Sequence, residues 1–228
     1  MDYSNTIFIL LRRILRKLKI TPLLSKFLYG TGYELRVYQA IQKSVNQNDT
    51  VWDIGANIGL YTSIFSDLVG ENGKVYAFEP HPKTFNELKS LSERRNISII
   101  NMGLSNKKGE ALFSEKENNT INSIVDSSYS GKTISITTDT ADNIIDSKVA
   151  VVPNFIKIDV EGFELFVLLG MKSLLKNKSL KCLLIEVHHS LMSELKLPNG
   201  VKDIVNVLSA NGFNVNWVDP SHIFADRH

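Results

Sequence analysis

The 228-residue chain contains one cysteine, Cys182, inside the apolar run from Leu180 to Val187. A lone thiol closes no intramolecular disulfide and builds no cysteine-based metal site, so a buried thiol in a reducing compartment is expected. Long hydrophobic runs are missing too: none approaches the roughly 18 residues that a membrane-spanning helix needs. No small-residue cleavage pattern of a signal peptide marks the N-terminal stretch, and the expected location is cytoplasmic. Basic residues outside that stretch are too sparse for a nucleic-acid surface. Internal repeats and low-complexity tracts are absent. What is present, 43% hydrophobic and 22% charged residues, suits one globular domain with a full core plus a modest extension.

A net charge of +2 hides an asymmetry. Residues 1–30 carry Arg12, Arg13, Arg16, Lys17, Lys19 and Lys26 against Asp2 alone, and the rest of the chain is net acidic. Ile7, Leu10, Leu11, Ile14 and Leu18 recur there at helical spacing with the basic residues largely opposite, which predicts a basic amphipathic helix. Such a helix packs on its own domain or on a second copy in a homodimer, or it lies on an anionic membrane surface. The expected division is therefore 1–30 as this helix and 31–228 as the functional domain.

Tyr33, Val37, Tyr38, Ile41 and Val45 predict a second helix ahead of a strand at Thr50 to Ile54. From there strand-like runs (Lys74 to Glu79, Ile97 to Asn101, Asn154 to Asp159, Lys181 to Val187) alternate with helical patterns (Leu60 to Val69, Pro82 to Arg94, Glu161 to Leu175). Alternation of this kind predicts an α/β, doubly wound, Rossmann-like parallel sheet. Residues 107–148 break the rhythm, and a β-hairpin insertion (Glu110 to Ser114, Thr133 to Thr138) with a mobile loop from Asn118 to Lys132 is expected. A helix from Val201 to Ala210, capped by Gly212, and two short strands at Phe213 to Val218 and His222 to Ala225 close the chain.

The densest motif is Val51-Trp52-Asp53-Ile54-Gly55-Ala56-Asn57-Ile58-Gly59. Gly55 and Gly59 let the backbone turn sharply out of a buried strand and let a ligand approach without meeting a Cβ. Asp53 would repel a dinucleotide pyrophosphate at this turn, and the glycine spacing is not that of a dinucleotide fingerprint. The ammonium and sulfonium of S-adenosylmethionine (SAM) suit it better. Glu79, ahead of Pro80, ends the second strand at the separation from which a carboxylate reaches ribose hydroxyls. Leu104 and Ser105, after the third strand, lie where adenine is expected, whereas His81 reads as a surface turn residue.

A second charged cluster, Lys157-Ile158-Asp159-Val160-Glu161-Gly162-Phe163-Glu164, sits at another strand-to-helix junction. Asp159 is expected at the methionine end of the cofactor or on a metal, and Glu161 to cap the helix or face the substrate, although acidic residues such as Glu161 and Glu164 favour a helix N-terminus in any case. Glu186 and His188 alternate onto one face beside Asp159. That trio offers either a general base, His188, for a hydroxyl or ligands (Asp159, Glu186, His188) for a divalent cation such as Mg. Lys157, Asp159, Glu186 and His188 are the candidate catalytic set. Asp53, Gly55, Ala56, Asn57, Gly59, Glu79, Pro80, Leu104, Ser105 and Asp159 are the candidate cofactor set.

With these residues in place the chain resembles the FkbM family of SAM-dependent methyltransferases. The resemblance rests on Asp53-Ile54-Gly55-Ala56-Asn57-Ile58-Gly59, Phe78-Glu79-Pro80, Lys157 through Glu164 and Ile185-Glu186-Val187-His188, in order between about Glu34 and His189. It implies a class I methyltransferase fold, a seven-stranded sheet with its last strand antiparallel, and O-methylation of a sugar, glycan or natural product. Asp142 in Thr140-Ala141-Asp142 matches a family Thr-Leu-Asp pattern and is expected to be structural. Two other readings stay open: an NAD-binding Rossmann oxidoreductase, and a non-catalytic SAM-binding, membrane-associated protein.

Overall fold

The computed structural model describes residues 32–115, 124–125, 129–195, 197 and 199–227. The expected basic helix at Ile7 to Leu18 lies outside them. Helix α1 (Gly32–Ser44) leads into β1 (Thr50–Ile54), and the chain continues through α2 (Leu60–Val69), β2 (Lys74–Phe78), α3 (Pro82–Leu88) and β3 (Ile97–Ile100). An inserted unit follows: β4 (Gly103–Leu104), β5 (Gly109–Ser114), β6 (Ile124–Val125), β7 (Thr133–Asp139) and α4 (Ala141–Asp146). The second half comprises β8 (Phe155–Ile158), α5 (Glu164–Leu169), β9 (Cys182–Glu186), α6 (His189–Glu194), α7 (Gly200–Ala210), β10 (Asn214–Asp219) and β11 (His222–Asp226).

The main sheet has seven strands in the order β10-β11-β9-β8-β1-β2-β3. Contacts among β3, β2, β1, β8 and β9 are parallel, while β11 runs antiparallel to both β9 and β10. The last strand is therefore the antiparallel one. Period-two alternation divides the core between the two sheet faces. Trp52, Ile54, Ile156 and Ile158 face Leu168 and Leu208 on one side. Val51, Phe155 and Leu184 face Val37 and Ile41 of α1 and Phe65 of α2 on the other. Strand order reverses between β1 and β8, which opens a crevice at their carboxyl ends.

Three elements depart from the sequence reading. The expected long helix from Glu161 to Leu175 is only α5, because Glu161 (φ 51) and Gly162 (φ 96) adopt left-handed backbone and delay its start. Helix α3 likewise ends at Leu88 and tightens into a 3-10 turn over Lys89–Leu91. Within the expected loop Asn118 to Lys132, Ile124–Val125 form β6 and pair with Phe113 and Leu112; most of the remaining loop lies outside the described residues. Asp142 is structural as expected, its carboxylate accepting the backbone N–H groups of Ser173 and Leu174. Among the described residues no helix is long and apolar enough to cross a membrane.

Candidate active site

The turn after β1 is fastened before any ligand is considered. The N–H groups of Gly55 and Ala56 both donate to the Phe78 carbonyl at 3.0 Å, which ties the turn to the end of β2. Gly55 has φ +80, and a Cβ there would come within 1.8 Å of the Asp159 carbonyl oxygen. Glycine is thus required for the close approach of the β1 and β8 exits. Glu79 clamps the turn from the other side, accepting the Asn57 N–H at 2.8 Å and the His81 N–H at 2.9 Å. Burial lifts its carboxyl to about 7 against the pull of those two amides.

A cavity of about 430 Å³ lies over these turns. Its lining includes Gly55, Ala56 and Asn57, Glu79 and Pro80, and Lys157 and Asp159. Met102, Leu104, Phe113 and Ile136 supply apolar surface, the last three from the inserted sheet. The volume lies in the range of small-molecule sites. The lining also fits SAM in its chemistry: apolar surface for adenine, a carboxylate for ribose hydroxyls, and a second carboxylate, Asp159, for the methionine ammonium.

Asp53 does not line this cavity, which corrects the expected direct contact with the cofactor. It is fully buried, accepts the Thr62 hydroxyl at 2.6 Å and lies 3.9 Å from the Lys157 ammonium. The cation it meets is Lys157. Burial pushes the Asp53 carboxyl up more than Lys157 pulls it down. Lys157 is also buried, yet it stays charged: burial lowers its pKa, and Asp159 at 3.0 Å together with Asp53 more than reverses that. Its ammonium sits 4.6 Å from the Tyr61 ring centroid. Gly59 and Ser105 also fall outside the cavity. Gly59 (φ 86) packs where a Cβ would strike Leu88 and Leu91, and the Ser105 N–H pairs with the Asp139 carbonyl.

The base-and-metal trio is rearranged as well. Strand β9 stops at Glu186, so His188 leaves the strand alternation and stands at the N-cap position of α6, its side chain making no capping hydrogen bond. His188 Nδ1 lies 2.8 Å from the wholly buried Glu164, and Nε2 lies 3.1 Å from Glu161 and 3.8 Å from Asp159. Despite the cost of burial, these carboxylates raise the imidazole to about 9, so at neutral pH it is protonated and takes up no further proton. Among the described residues the set with metal-ligand spacing is Asp159, Glu161 and His188, all ligand atoms within 4.8 Å of one another. Glu186 is not part of it; its carboxylate pairs with His222 at 3.5 Å.

Sequence reasoning also missed the wall residues from the insertion and the burial of His81. That imidazole is 5% exposed and caps α3 by accepting the Thr84 N–H. The Pro82 that follows it was the available signal for a helix start.

A seven-stranded sheet with this order, one antiparallel last strand and a cavity at the strand reversal is the class I methyltransferase fold. Its fold matches an FkbM methyltransferase from Methylobacillus flagellatus (TM-score 0.55, 15% identity, covering 95% of this chain and 60% of that one). It also matches SMU.1697c from Streptococcus mutans, solved in complex with SAH (TM-score 0.53, 13% identity, covering 86% and 98%). The methyltransferase FkbM domain model matches residues 53–215, and the chain belongs to that family. Among curated relatives, the hexuronic acid methyltransferase AglP of Haloferax volcanii is 33% identical over 177 residues, 72% of this chain and 70% of AglP. The 31-O-demethyl-FK506 methyltransferase FkbM of Streptomyces tacrolimicus is 32% identical over 74 residues, 32% of this chain and 28% of that protein.

Proposed function

We propose that this protein methylates a hydroxyl of a sugar, within a glycan or a related natural product, using SAM as donor. The similarity to a hexuronic acid methyltransferase supports hexuronic acids as the first acceptors to try. When bound, SAM supplies an electrophilic methyl that a hydroxyl oxygen takes in line, with loss of S-adenosylhomocysteine. Glu79 would receive the ribose hydroxyls, Leu104 and Met102 would pack on adenine, and Asp159, its carboxylate held by Lys157 at 3.0 Å, would receive the methionine ammonium. Holding donor and acceptor in line is worth roughly 7–11 kcal/mol of barrier.

The observation that carries the reading is the position of Glu161. It lines the same cavity, burial lifts its carboxyl to about 7, and the His188 imidazolium at 3.1 Å orients it. A carboxylate with a pKa near the working pH is suited to take the acceptor's hydroxyl proton as the oxygen attacks. His188 is then its orienting partner, fixed through Nδ1 by Glu164. The test is release of S-adenosylhomocysteine and of a methylated product from a panel of hexuronic acids and their methyl glycosides. Glu161→Gln is expected to lower kcat by about 10²–10⁴-fold with unchanged affinity for S-adenosylhomocysteine. Unchanged turnover in that variant would remove Glu161 as the base.

A second reading is favoured by the convergence of Asp159, Glu161 and His188 within 4.8 Å. A divalent cation such as Mg held there would acidify the hydroxyl directly. Glu164 on Nδ1 would then leave Nε2 as the ligand atom, the usual support of a metal-bound imidazole. Exhaustive chelation separates the two: retained turnover excludes the cation, and loss restored by added Mg establishes it.

A further inference from the structure

A second charged assembly lies at the same edge of the sheet, outside the cofactor cavity. His222 of β11 stands opposite Glu186 of β9, and β9 runs beside β8, whose exit carries Asp159. The His222 imidazole is 5% exposed and its Nε2 lies 3.5 Å from the Glu186 carboxylate. Its other nitrogen, Nδ1, lies 3.0 Å from Asp219, which is 8% exposed. Asp219 is itself fixed, accepting the backbone N–H groups of Ser221 and His222 at 2.8 and 2.9 Å. Only the end of this chain of groups reaches solvent: the Glu186 side chain is 31% exposed. Taking an imidazole and the Asp219 carboxylate out of water costs free energy that a structural contact between two strands does not require. What the arrangement supplies is one carboxylate held in one orientation at the carboxyl end of the sheet. Trp217, 45% exposed, flanks the same β10–β11 turn, stacked on His189, whose Nε2 contacts the Pro220 carbonyl.

We propose that Glu186 is an acceptor-binding carboxylate, receiving hydroxyl hydrogen bonds from a polyhydroxylated ring beside the cofactor cavity, and that His222 and Asp219 are positioning residues acting through it. This rests on the sugar-methyltransferase reading and deepens it: the acceptor binds on the β9–β11 side of Asp159, its hydroxyls pointing at Glu186 and its apolar ring edge available to the exposed indole. A carboxylate accepting hydroxyl donors offers directional recognition without chemistry, which separates Glu186 from the proton-accepting Glu161.

The proposal is tested by calorimetry or ligand-observed NMR on the full chain saturated with S-adenosylhomocysteine, with methyl β-D-glucopyranoside and methyl β-D-glucopyranosiduronic acid as probes. Glu186→Gln is expected to weaken sugar binding at least about tenfold, the effect of losing a hydrogen bond to a charged group, with affinity for S-adenosylhomocysteine unchanged. His222→Gln should do the same, and the double variant should bind no more weakly than Glu186→Gln alone, because two residues acting as one unit are not additive. Equal sugar affinity in wild type and Glu186→Gln overturns the proposal, as does failure of wild type to bind either sugar. Additive effects in the double variant overturn the positioning role of His222. If His222→Gln does not fold, Asp219→Asn takes its place in the same cycle. Failure of wild type to bind S-adenosylhomocysteine would instead overturn the methyltransferase reading.

Discussion

Glu79 couples the cofactor turn to pH. With its carboxyl raised to about 7 by burial, the folded protein holds a proton there between the ordinary value of 4.5 and 7 while the unfolded chain does not. Its contribution to stability therefore falls as pH rises through that window and is level above it. With Glu79 as the proposed ribose acceptor, cofactor affinity is expected to move the other way, because ribose hydroxyls donate best to the ionised form. The dissociation constant for S-adenosylhomocysteine is expected to weaken roughly tenfold from about pH 8 to about pH 6, and Glu79→Gln should bind weakly and independently of pH. Titration calorimetry across that range checks this, and a flat wild-type profile would remove Glu79 from the ribose contact. Asp53 teaches a different lesson at this scale. Its charge was legible in the sequence, but the cation it meets is Lys157, brought beside it by the lateral pairing of Asp53 with Lys157 in neighbouring strands. Strand alternation alone gave no sign of that partnership.

At the scale of elements, the turn between β1 and α2 is built around one backbone approach. Gly55→Ala would set a methyl against the Asp159 carbonyl at 1.8 Å and place alanine at φ +80. A loss of more than about 3 kcal/mol is expected, the sum of strained backbone and overpacking. Gly212→Ala, at φ +83 with nothing within 4 Å, should cost only about 1–2 kcal/mol from conformation. Urea unfolding of both variants makes the comparison, and equal losses would show that the close approach does not matter. The glycines were readable as turn residues. What each touches was not, since Gly55 meets β8 and Gly59 meets Leu88 and Leu91 from the segment after β2. The shortening of the expected Glu161 helix has the same origin: Glu161 adopts φ 51, an infrequent conformation for a non-glycine residue, and periodicity carries no signal for it.

For the whole molecule, the cavity sits where the β1 turn, the β2 exit, the β8 exit and the inserted sheet meet, so a ligand there ties both halves of the fold together. S-adenosylhomocysteine at a hundredfold excess over its dissociation constant should stabilise the protein by about 2.7 kcal/mol, a rise in Tm of roughly 5–10 °C for a domain of this size. NADH should give no shift; a comparable rise with NADH would revive the oxidoreductase alternative. Thermal melts monitored by circular dichroism settle the comparison.

The sequence by itself determined the alternating α/β order, the antiparallel last strand through its family resemblance, and the cofactor class, because strand periodicity, glycine turns and strand-end carboxylates are local patterns. Only the tertiary structure decided which charges meet. Asp53 went to Lys157, Glu161 rather than Glu186 joined Asp159 and His188, and Glu186 went to His222. Those pairings depend on the lateral register of strands far apart in sequence and on where β9 stops, and neither is encoded within any one segment.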